Sequence, residues 1–514
     1  MMSIADETRY QRHRRVRDAQ SVGATALHEF LLPMVLFGSM GAITWAIRGT
    51  DGYGGVDGTV VPGLMWGLLW YYLCWRKGID ARSIVFWLGM GIALGGELGY
   101  GQYVSWIQGN FQVAGETIPV SPSAGYVWFA LCGIGWAAPG GILLGWALSN
   151  RASAGHWALR AALLILLLVV LFADLKWPIT VWFGDRFRGA CPVLLFPNAH
   201  LGIYGGELCG DLARTVRTNT QNFLVVLWWV AALVLAGIKR DKATLVAGLV
   251  IGGGFGIGFM LSALWCLGYT HAPQYIDWWK IWELNAGFNL GLLYVVTLNW
   301  AIRQTDKTYS KGGATTTGAE PLSSSIQWRD TPCLAVGGSA LLFLTGYEHF
   351  YWTGVGLAVL WAAALCLATF RFGRADGAAV RRRGVSLVYA VFLYLFILFH
   401  GGTSRAGVLL ELYKAEDVGQ YAWPAARIWL FAPVAFILVC GALFKMWQVT
   451  RPEAGQWLST PARLPARMID LMTVTGFVGA LTIWPSEIGV LYALLLCFAL
   501  AALMRINRRL DAGE

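Results

Sequence analysis

The stretch at residues 243–267 reads ATLVAGLVIGGGFGIGFMLSALWCL and contains no charged residue. A helix of about 20 residues is long enough to cross the roughly 30 Å hydrocarbon core of a bilayer. A run this long and this apolar therefore predicts a transmembrane helix. Similar apolar runs recur from Phe30 almost to the end of the 514-residue chain.

The composition of the whole chain agrees with this interpretation. Hydrophobic residues make up 57% of the chain and charged residues only 13%, whereas soluble domains carry about 25% charged residues. A water-soluble globule is therefore excluded, and the fold class predicted is an all-α, polytopic transmembrane helical bundle. Apolar windows bounded by charges define about 14 spans, at residues 29–47, 60–75, 83–103, 124–148, 158–177, 221–238, 243–267, 278–302, 332–350, 351–370, 385–401, 424–446, 467–485 and 487–505.

The formal net charge of +10 follows the predicted topology. If the basic tail at residues 1–28 is cytoplasmic, 29 of the 39 Lys and Arg residues fall in cytoplasmic segments, as the positive-inside rule requires. The charge then reports orientation, and nucleic acid is not expected as a partner. We expect a multi-pass protein of the inner or plasma membrane, surrounded by the lipid bilayer, with both termini cytoplasmic. The sequence leaves oligomeric state and cofactors open.

The spans group into three predicted units. Residues 29–148 and 158–302 each form a four-helix unit, and residues 331–506 form a six-helix unit. Between the second and third units lies a polar stretch at residues 303–330 that contains KGGATTTG. Its Gly and Thr content predicts a flexible cytoplasmic linker.

The first two units show internal similarity in their glycine positions, five coincidences in eleven positions, which is above the number expected by chance. A shift of 157 residues superimposes five glycines of the third span on five of the seventh, and a shift of 154 aligns the fourth span with the eighth. This predicts a duplicated four-helix unit, a parallel repeat about an axis along the membrane normal, as many transporters have. The alternative is that small residues simply allow membrane helices to pack closely. The superimposed glycines are Gly91, Gly95, Gly96, Gly99 and Gly101 on Gly248, Gly252, Gly253, Gly256 and Gly258.

Polar residues inside the spans are the first candidates for function. Glu97 lies in the third predicted span, and Glu283, Asn285 and Asn289 lie in the eighth. A carboxylate in the membrane is costly and is a functional candidate by default, although it can also be protonated or join helices by hydrogen bonds. Asn285 and Asn289 share a helix face, and we expect this face to point at the third span.

The loop after the first span is a second candidate site. It reads RGTDGYGGVDGT at residues 48–59, and its charged members are Arg48, Asp51 and Asp57. Its glycines permit a close backbone approach to a ligand, but the spacing fits neither an EF-hand nor a P-loop. A tight turn between two helices is an equally good interpretation.

The longest predicted outer segment, residues 178–221, contains His200 and Glu207. Cys191 and Cys209 flank its apolar part and could form a disulfide or remain two separate thiols. Histidines also gather on the predicted outer side, but no two of them have the spacing of metal ligands on one helix. No metal site is predicted.

These features lead to two functional hypotheses and a third possibility. The first is a secondary transporter or translocator of a small-molecule or lipid-linked substrate. Its site lies between the repeats in spans 3, 7 and 8, with glycine clusters such as residues 252–254 breaking the helices. The alternative is a membrane-embedded enzyme acting at the outer face on a lipid-linked saccharide, with Asp51, Asp57, His200 and Glu207 as acid–base groups. The third possibility is a scaffold subunit of a larger complex.

Overall fold

The computed structural model describes residues 27–48, 82–113, 116–149, 154–172, 213–272, 276–310 and 486–511, with single positions between 63 and 73 and between 355 and 363. In this part of the chain, six helices are long and apolar enough to cross a membrane. They correspond to predicted spans 1, 4, 6, 7, 8 and 14. A helical multi-pass protein is therefore the architecture that these helices fit, while the full number of 14 spans stays a prediction.

The described elements are nine helices and one hairpin, in the following order. A π-helical turn at Leu27–Leu31 leads into α1 (Leu32–Arg48), followed by α2 (Arg82–Gly95), α3 (Gly101–Ile107), β1 (Asn110–Val113), β2 (Glu116–Pro119), α4 (Pro122–Leu148), α5 (Ala154–Phe172), α6 (Ala213–Ile238), α7 (Lys242–His271), α8 (Trp278–Ser310) and α9 (Ser486–Asp511). β1 and β2 pair antiparallel, with Phe111 opposite Ile118. The hairpin is an element that the all-α prediction missed.

Helix α4 forms the centre of the described bundle and is buried along most of its length. On one side it packs against α2, where a Cβ added to Gly91 would lie 2.6 Å from the Cα of Gly140. On the other side it packs against α7, where a Cβ at Gly141 would lie 2.8 Å from the carbonyl oxygen of Ala247. The small residues let backbones approach closely where hydrophobic burial alone cannot hold helices together.

Helices α1 and α8 form a second close pair and run antiparallel. A Cβ at Gly287 would overlap the carbonyl oxygen of Gly41, and one at Gly291 would overlap that of Phe37. Helix α9 also packs on α1, and the Tyr492 hydroxyl donates to the backbone oxygen of Ile43 over 3.2 Å. The last predicted span is thus brought back against the first.

At the opposite end of the bundle from the hairpin, a buried ion pair joins α5 to the start of α7. The guanidinium of Arg160 lies 3.3 Å from Asp241 Oδ2, and its carbon lies 5.2 Å and 5.7 Å from the ring centroids of Trp157 and Trp146. Asp241 also caps α7 by accepting from the backbone N–H of Thr244. Both charges of the pair therefore have partners, as buried charges require.

The third predicted span is not one continuous helix over residues 83–103. Helix α2 ends at Gly95, α3 begins at Gly101, and residues 96–100 between them form a non-helical interruption. The Gly252–Gly254 cluster, which the sequence predicts to break the seventh span, stays helical instead and lies partly within a π-helical turn at Gly248–Gly253. The helix breaks where side chains from other helices bond the released carbonyls, as described below.

Some of the superimposed glycines allow close packing in each span, whereas a Cβ built on Gly101 would meet nothing within 4 Å. Gly91 of α2 and Gly256 of α7 both face α4, from opposite sides, and Gly256 would meet Ile134 and the carbonyl oxygen of Ala130. A two-fold repeat would turn the α7 glycines towards α8, the counterpart of α4. Gly258 does lie against Asn289 of α8, whereas Gly248, Gly252 and Gly256 lie against α4 and α6. These contacts support the close-packing interpretation, and the duplication stays a prediction.

Helix α8 extends past the predicted end of its span. It continues to Ser310, so the first eight residues of the predicted 303–330 linker belong to its last two turns. The remainder of that linker lies outside the described residues.

Candidate functional site

The interruption at residues 96–100 is held open by side chains of neighbouring helices. The Trp136 indole donates to the carbonyl oxygen of Leu98 over 2.9 Å, and the Asn222 amide donates to that of Gly99 over 3.0 Å. These two donors, from α4 and α6, replace backbone amides that a continuous helix would supply. Glu97 lies inside the interruption and is partly exposed, rather than within a helix as predicted.

One wall of the interruption is polar and comes from the first turns of α6. The Tyr103 hydroxyl donates to Asn219 Oδ1 over 2.7 Å and accepts from Asn222 Nδ2 over 2.9 Å. Gln102 Nε2 also donates to Asn219 Oδ1, over 3.2 Å. Both asparagines are completely buried, so this network fixes α3 and α6 together at the interruption.

Thr218 extends the same wall towards the backbone of the interruption. A Cβ built on Gly99 would lie 3.1 Å from Thr218 Cγ2 and 3.3 Å from Thr218 Oγ1. The glycine thus leaves the threonine hydroxyl close to the backbone. Glycine is the residue that permits this approach without a clash.

The other wall is aromatic and is centred on Tyr100, which is 7% exposed. Its ring centroid lies 4.9 Å from that of Trp282, 5.9 Å from Trp279, 5.8 Å from Phe259 and 6.1 Å from Trp136. Tilted and edge-to-face contacts at these separations are favourable for aromatic rings. The interruption is therefore packed against α4, α7 and the start of α8.

Directly beside this aromatic wall, α8 carries a buried ion pair. Lys280 Nζ donates to Glu283 Oε2 over 2.8 Å, and the Trp279 indole donates to Glu283 Oε1, also over 2.8 Å. Glu283 is completely buried and Lys280 is 3% exposed. Burying an ion costs several kcal/mol even after relaxation, and here Lys280 and the Trp279 indole together compensate the Glu283 carboxylate.

The two asparagines of α8 share a face as predicted, but that face points at α7 and not at the third span. Asn289 Nδ2 donates to the carbonyl oxygen of Gly258 over 3.2 Å and to Ser262 Oγ over 3.0 Å. It also lies 3.4 Å from Asn285 Oδ1. The missing side chain at Gly258 lets α8 approach closely there, which sets the direction of the asparagine face.

The structure thus brings the interruption that contains Glu97 next to the turn of α8 that holds Glu283. Arg48 is the last residue of α1. The other predicted site residues, Asp51, Asp57, His200 and Glu207, lie outside the described residues, as do Cys191 and Cys209. The enzyme hypothesis, which depends on those four residues, stays a prediction.

Sequence reasoning missed the amide wall. Asn219 and Asn222 belong to the run TNTQN at residues 218–222, at the start of an otherwise apolar span. A cluster of neutral polar residues at a span end resembles an ordinary interface boundary, and only its contacts identify it as part of a site. Lys280 is likewise recognisable from the sequence only as a charge near a helix end.

Comparison of the chain with known protein families, with curated proteins and with solved structures finds no match in any of the three.

Proposed function

We propose that the protein is a secondary transporter or translocator that binds a small-molecule substrate at the interruption between α2 and α3. The observation that carries the proposal is the break in the third span at Glu97, between an amide wall and an aromatic wall. Non-helical backbone at membrane depth is tolerated only inside protein or beside a water-filled cavity. Transporters commonly place substrate and coupling-ion sites at such discontinuous helices.

The groups around the interruption suit the recognition of a small solute. The carbonyls of Leu98 and Gly99 and the amides of α6 bond protein groups in this structure, so a polar solute would bind by exchanging with these hydrogen bonds, beside the rings of Tyr100 and Trp282. Glu97 supplies a negative charge at the C-terminal end of α2, where the helix dipole also favours a cation. We assign to Glu97 the binding of the coupling proton or cation.

Uptake into proteoliposomes tests this function with a mixture of candidate solutes in place of a single substrate. The full chain is reconstituted under imposed pH and Na⁺ gradients and exposed to a defined mixture of amino acids, organic acids, sugars and quaternary amines. Mass spectrometry then identifies which solutes enter. We expect wild type to accumulate at least one solute. Glu97→Gln should lower gradient-driven accumulation by more than about tenfold, because a tenfold change needs a loss of only ~1.4 kcal/mol in the coupling free energy between ion and solute.

The matched control is Glu116→Gln, which makes the same chemical change in strand β2 of the hairpin. It should accumulate the solute as wild type does. Equal accumulation by Glu97→Gln and wild type at every pH would contradict the role of Glu97. Failure of folded wild type to admit any solute of the mixture would contradict transport itself.

A further inference from the structure

Tyr100 is surrounded by aromatic rings from three different helices. Measured from the Tyr100 ring centroid, the other centroids lie at 4.9 Å (Trp282), 5.8 Å (Phe259), 5.9 Å (Trp279) and 6.1 Å (Trp136). The Trp279 ring is stacked on Tyr100 at an interplanar angle of 30° and so turns a face towards it. All four distances start from one point, so the Tyr100 ring occupies the centre of an aromatic pocket lined by these four rings.

The walls of the aromatic pocket contact one another as well as Tyr100. The ring centroid of Trp282 lies 5.1 Å from that of Trp279 and 5.2 Å from that of Phe259. The Trp279 indole is also held by its hydrogen bond to Glu283. We therefore expect the pocket to keep its shape when the Tyr100 ring is elsewhere.

Tyr100 itself belongs to the non-helical interruption, where its backbone is least constrained. Its two neighbours, Gly99 and Gly101, are both exposed. A Cβ built on Gly101 would meet no atom of the described residues within 4 Å. Glycines permit backbone rotations that other residues resist, and the open space beside Gly101 gives the Tyr100 ring a place outside the pocket.

The chemistry of the aromatic pocket favours an organic cation. Aromatic faces attract a positive charge that lies within about 6 Å of the ring centroid. The Trp279 indole donates to the Glu283 carboxylate, and such a hydrogen bond polarises the donor and makes its ring face more negative. The charged groups beside the pocket are two carboxylates, Glu97 and Glu283, and the ammonium of Lys280, so their formal sum is −1.

We propose that the aromatic pocket binds the substituted ammonium group of an organic cation, such as choline, in exchange for the Tyr100 ring. The inference rests on the proposed function and deepens it, because it names quaternary amines as the substrate class. A trimethylammonium group and a phenol ring have similar bulk, so the ligand replaces the ring without a change in the walls. Cages of aromatic side chains are a common means of recognising quaternary ammonium groups.

Equilibrium binding of tritiated choline to the purified full chain in detergent, measured by scintillation proximity, tests the pocket. We expect saturable binding that tetramethylammonium displaces. The neutral carbon analogue of choline, in which a tert-butyl group replaces trimethylammonium, should not displace it, because this analogue has the shape without the charge. Equal displacement by both compounds would overturn the proposal, since the pocket would then recognise apolar bulk alone.

Tyr100→Ala removes the ring that competes with the ligand. The affinity for choline should rise by more than about tenfold, because in wild type only the fraction of chains with a free pocket can bind. The matched control is Tyr294→Ala, the same change at a completely buried position of α8, where the ring lies 5.0 Å from that of Trp66. It should bind choline as wild type does. An equal gain in both variants would overturn the proposal, because any new cavity would then take up choline.

Two substitutions of Trp279 test the wall that stacks on Tyr100. Trp279→Leu removes the ring and should weaken choline binding by more than about tenfold, which corresponds to ~1.4 kcal/mol. Trp279→Phe keeps an aromatic face and should lose less. Both variants lose the hydrogen bond to Glu283, so equal losses would assign the effect to that bond and overturn recognition of the cation by the ring.

Wild type decides the case in which Tyr100→Ala does not fold, because folded wild type without saturable choline binding would overturn the proposal. Binding by Tyr100→Ala alone would overturn the exchange, since Tyr100 would then not leave the pocket in the natural chain. Uptake of only neutral or anionic solutes by a protein that binds no choline would overturn this inference and leave the proposed function standing. Choline binding by a protein that admits no solute would contradict transport and leave the pocket standing.

Discussion

The substitution Gly91→Ala is expected to separate the packing interpretation of the glycine match from a true repeat. A Cβ at Gly91 would lie 2.6 Å from Gly140 Cα, 2.8 Å from Gly140 N and 2.8 Å from Pro139 O, all of them backbone atoms of α4. Ordinary van der Waals contact begins at 3.4 Å, so the two helices must move apart by about 0.8 Å.

The expected loss of stability in Gly91→Ala is the difference between two opposing effects. Overpacking against backbone costs roughly 3 kcal/mol, at the upper end of the usual range because the neighbouring atoms cannot rotate away. The gain in helix propensity from Gly to Ala returns about 1 kcal/mol. We therefore expect Gly91→Ala to lower the free energy of unfolding by about 2 kcal/mol, seen as a fall in Tm of about 2 °C for a chain of 514 residues.

Gly248→Ala is the matched control, because the shift of 157 residues places Gly248 opposite Gly91. The closest atoms to a Cβ at Gly248 would be Ile142 Cδ1 at 2.7 Å and Leu233 Cδ2 at 2.9 Å, which are ends of flexible side chains. Its cost should be close to zero. Thermal unfolding of both purified variants in the same detergent measures the difference, and equal losses at the two positions would refute the packing argument.

Two further predictions concern the buried ion pairs. Lys280→Met and Glu283→Gln should each destabilise the protein by about 3 kcal/mol because each leaves the other residue without its partner in the ion pair. The double variant should lose clearly less than the sum of the two losses, and additive Tm losses would contradict the pairing. Arg160→Ala should lower the Tm more than Asp241→Asn. The first variant removes cation–π contacts as well as the ion pair, whereas the asparagine of the second variant can still cap α7. The reverse order in thermal unfolding would be inconsistent with the observed contacts.

Part of the candidate site could be predicted from the sequence because charge in an apolar span is a local signal. Glu97 and Glu283 are recognisable from their neighbours alone, and the structure brings their two segments together. Asn222 could not be found in this way. Its importance comes from bonds to Gly99 and Tyr103, which lie 123 and 119 residues away along the chain.

The helix that the Asn285 and Asn289 face contacts is a second feature that the sequence could not predict. The spacing of Asn285 and Asn289 correctly places them on one face of α8. Which helix that face meets depends on how α7 and α8 pack, and Gly258 sets this by allowing close approach. Periodicity along one helix carries no information about the partner across the interface.

The sequence by itself determined that this chain is built from apolar helices long enough to cross a membrane, because hydropathy and helix length are properties of each segment alone. Only the tertiary structure decided where the helices are interrupted. Both the 95–101 and the 248–258 segments are rich in glycine, yet the break occurs at residues 96–100. There Trp136 and Asn222, from other helices, bond the carbonyls that the break releases, and a break without such donors would leave buried polar groups unsatisfied.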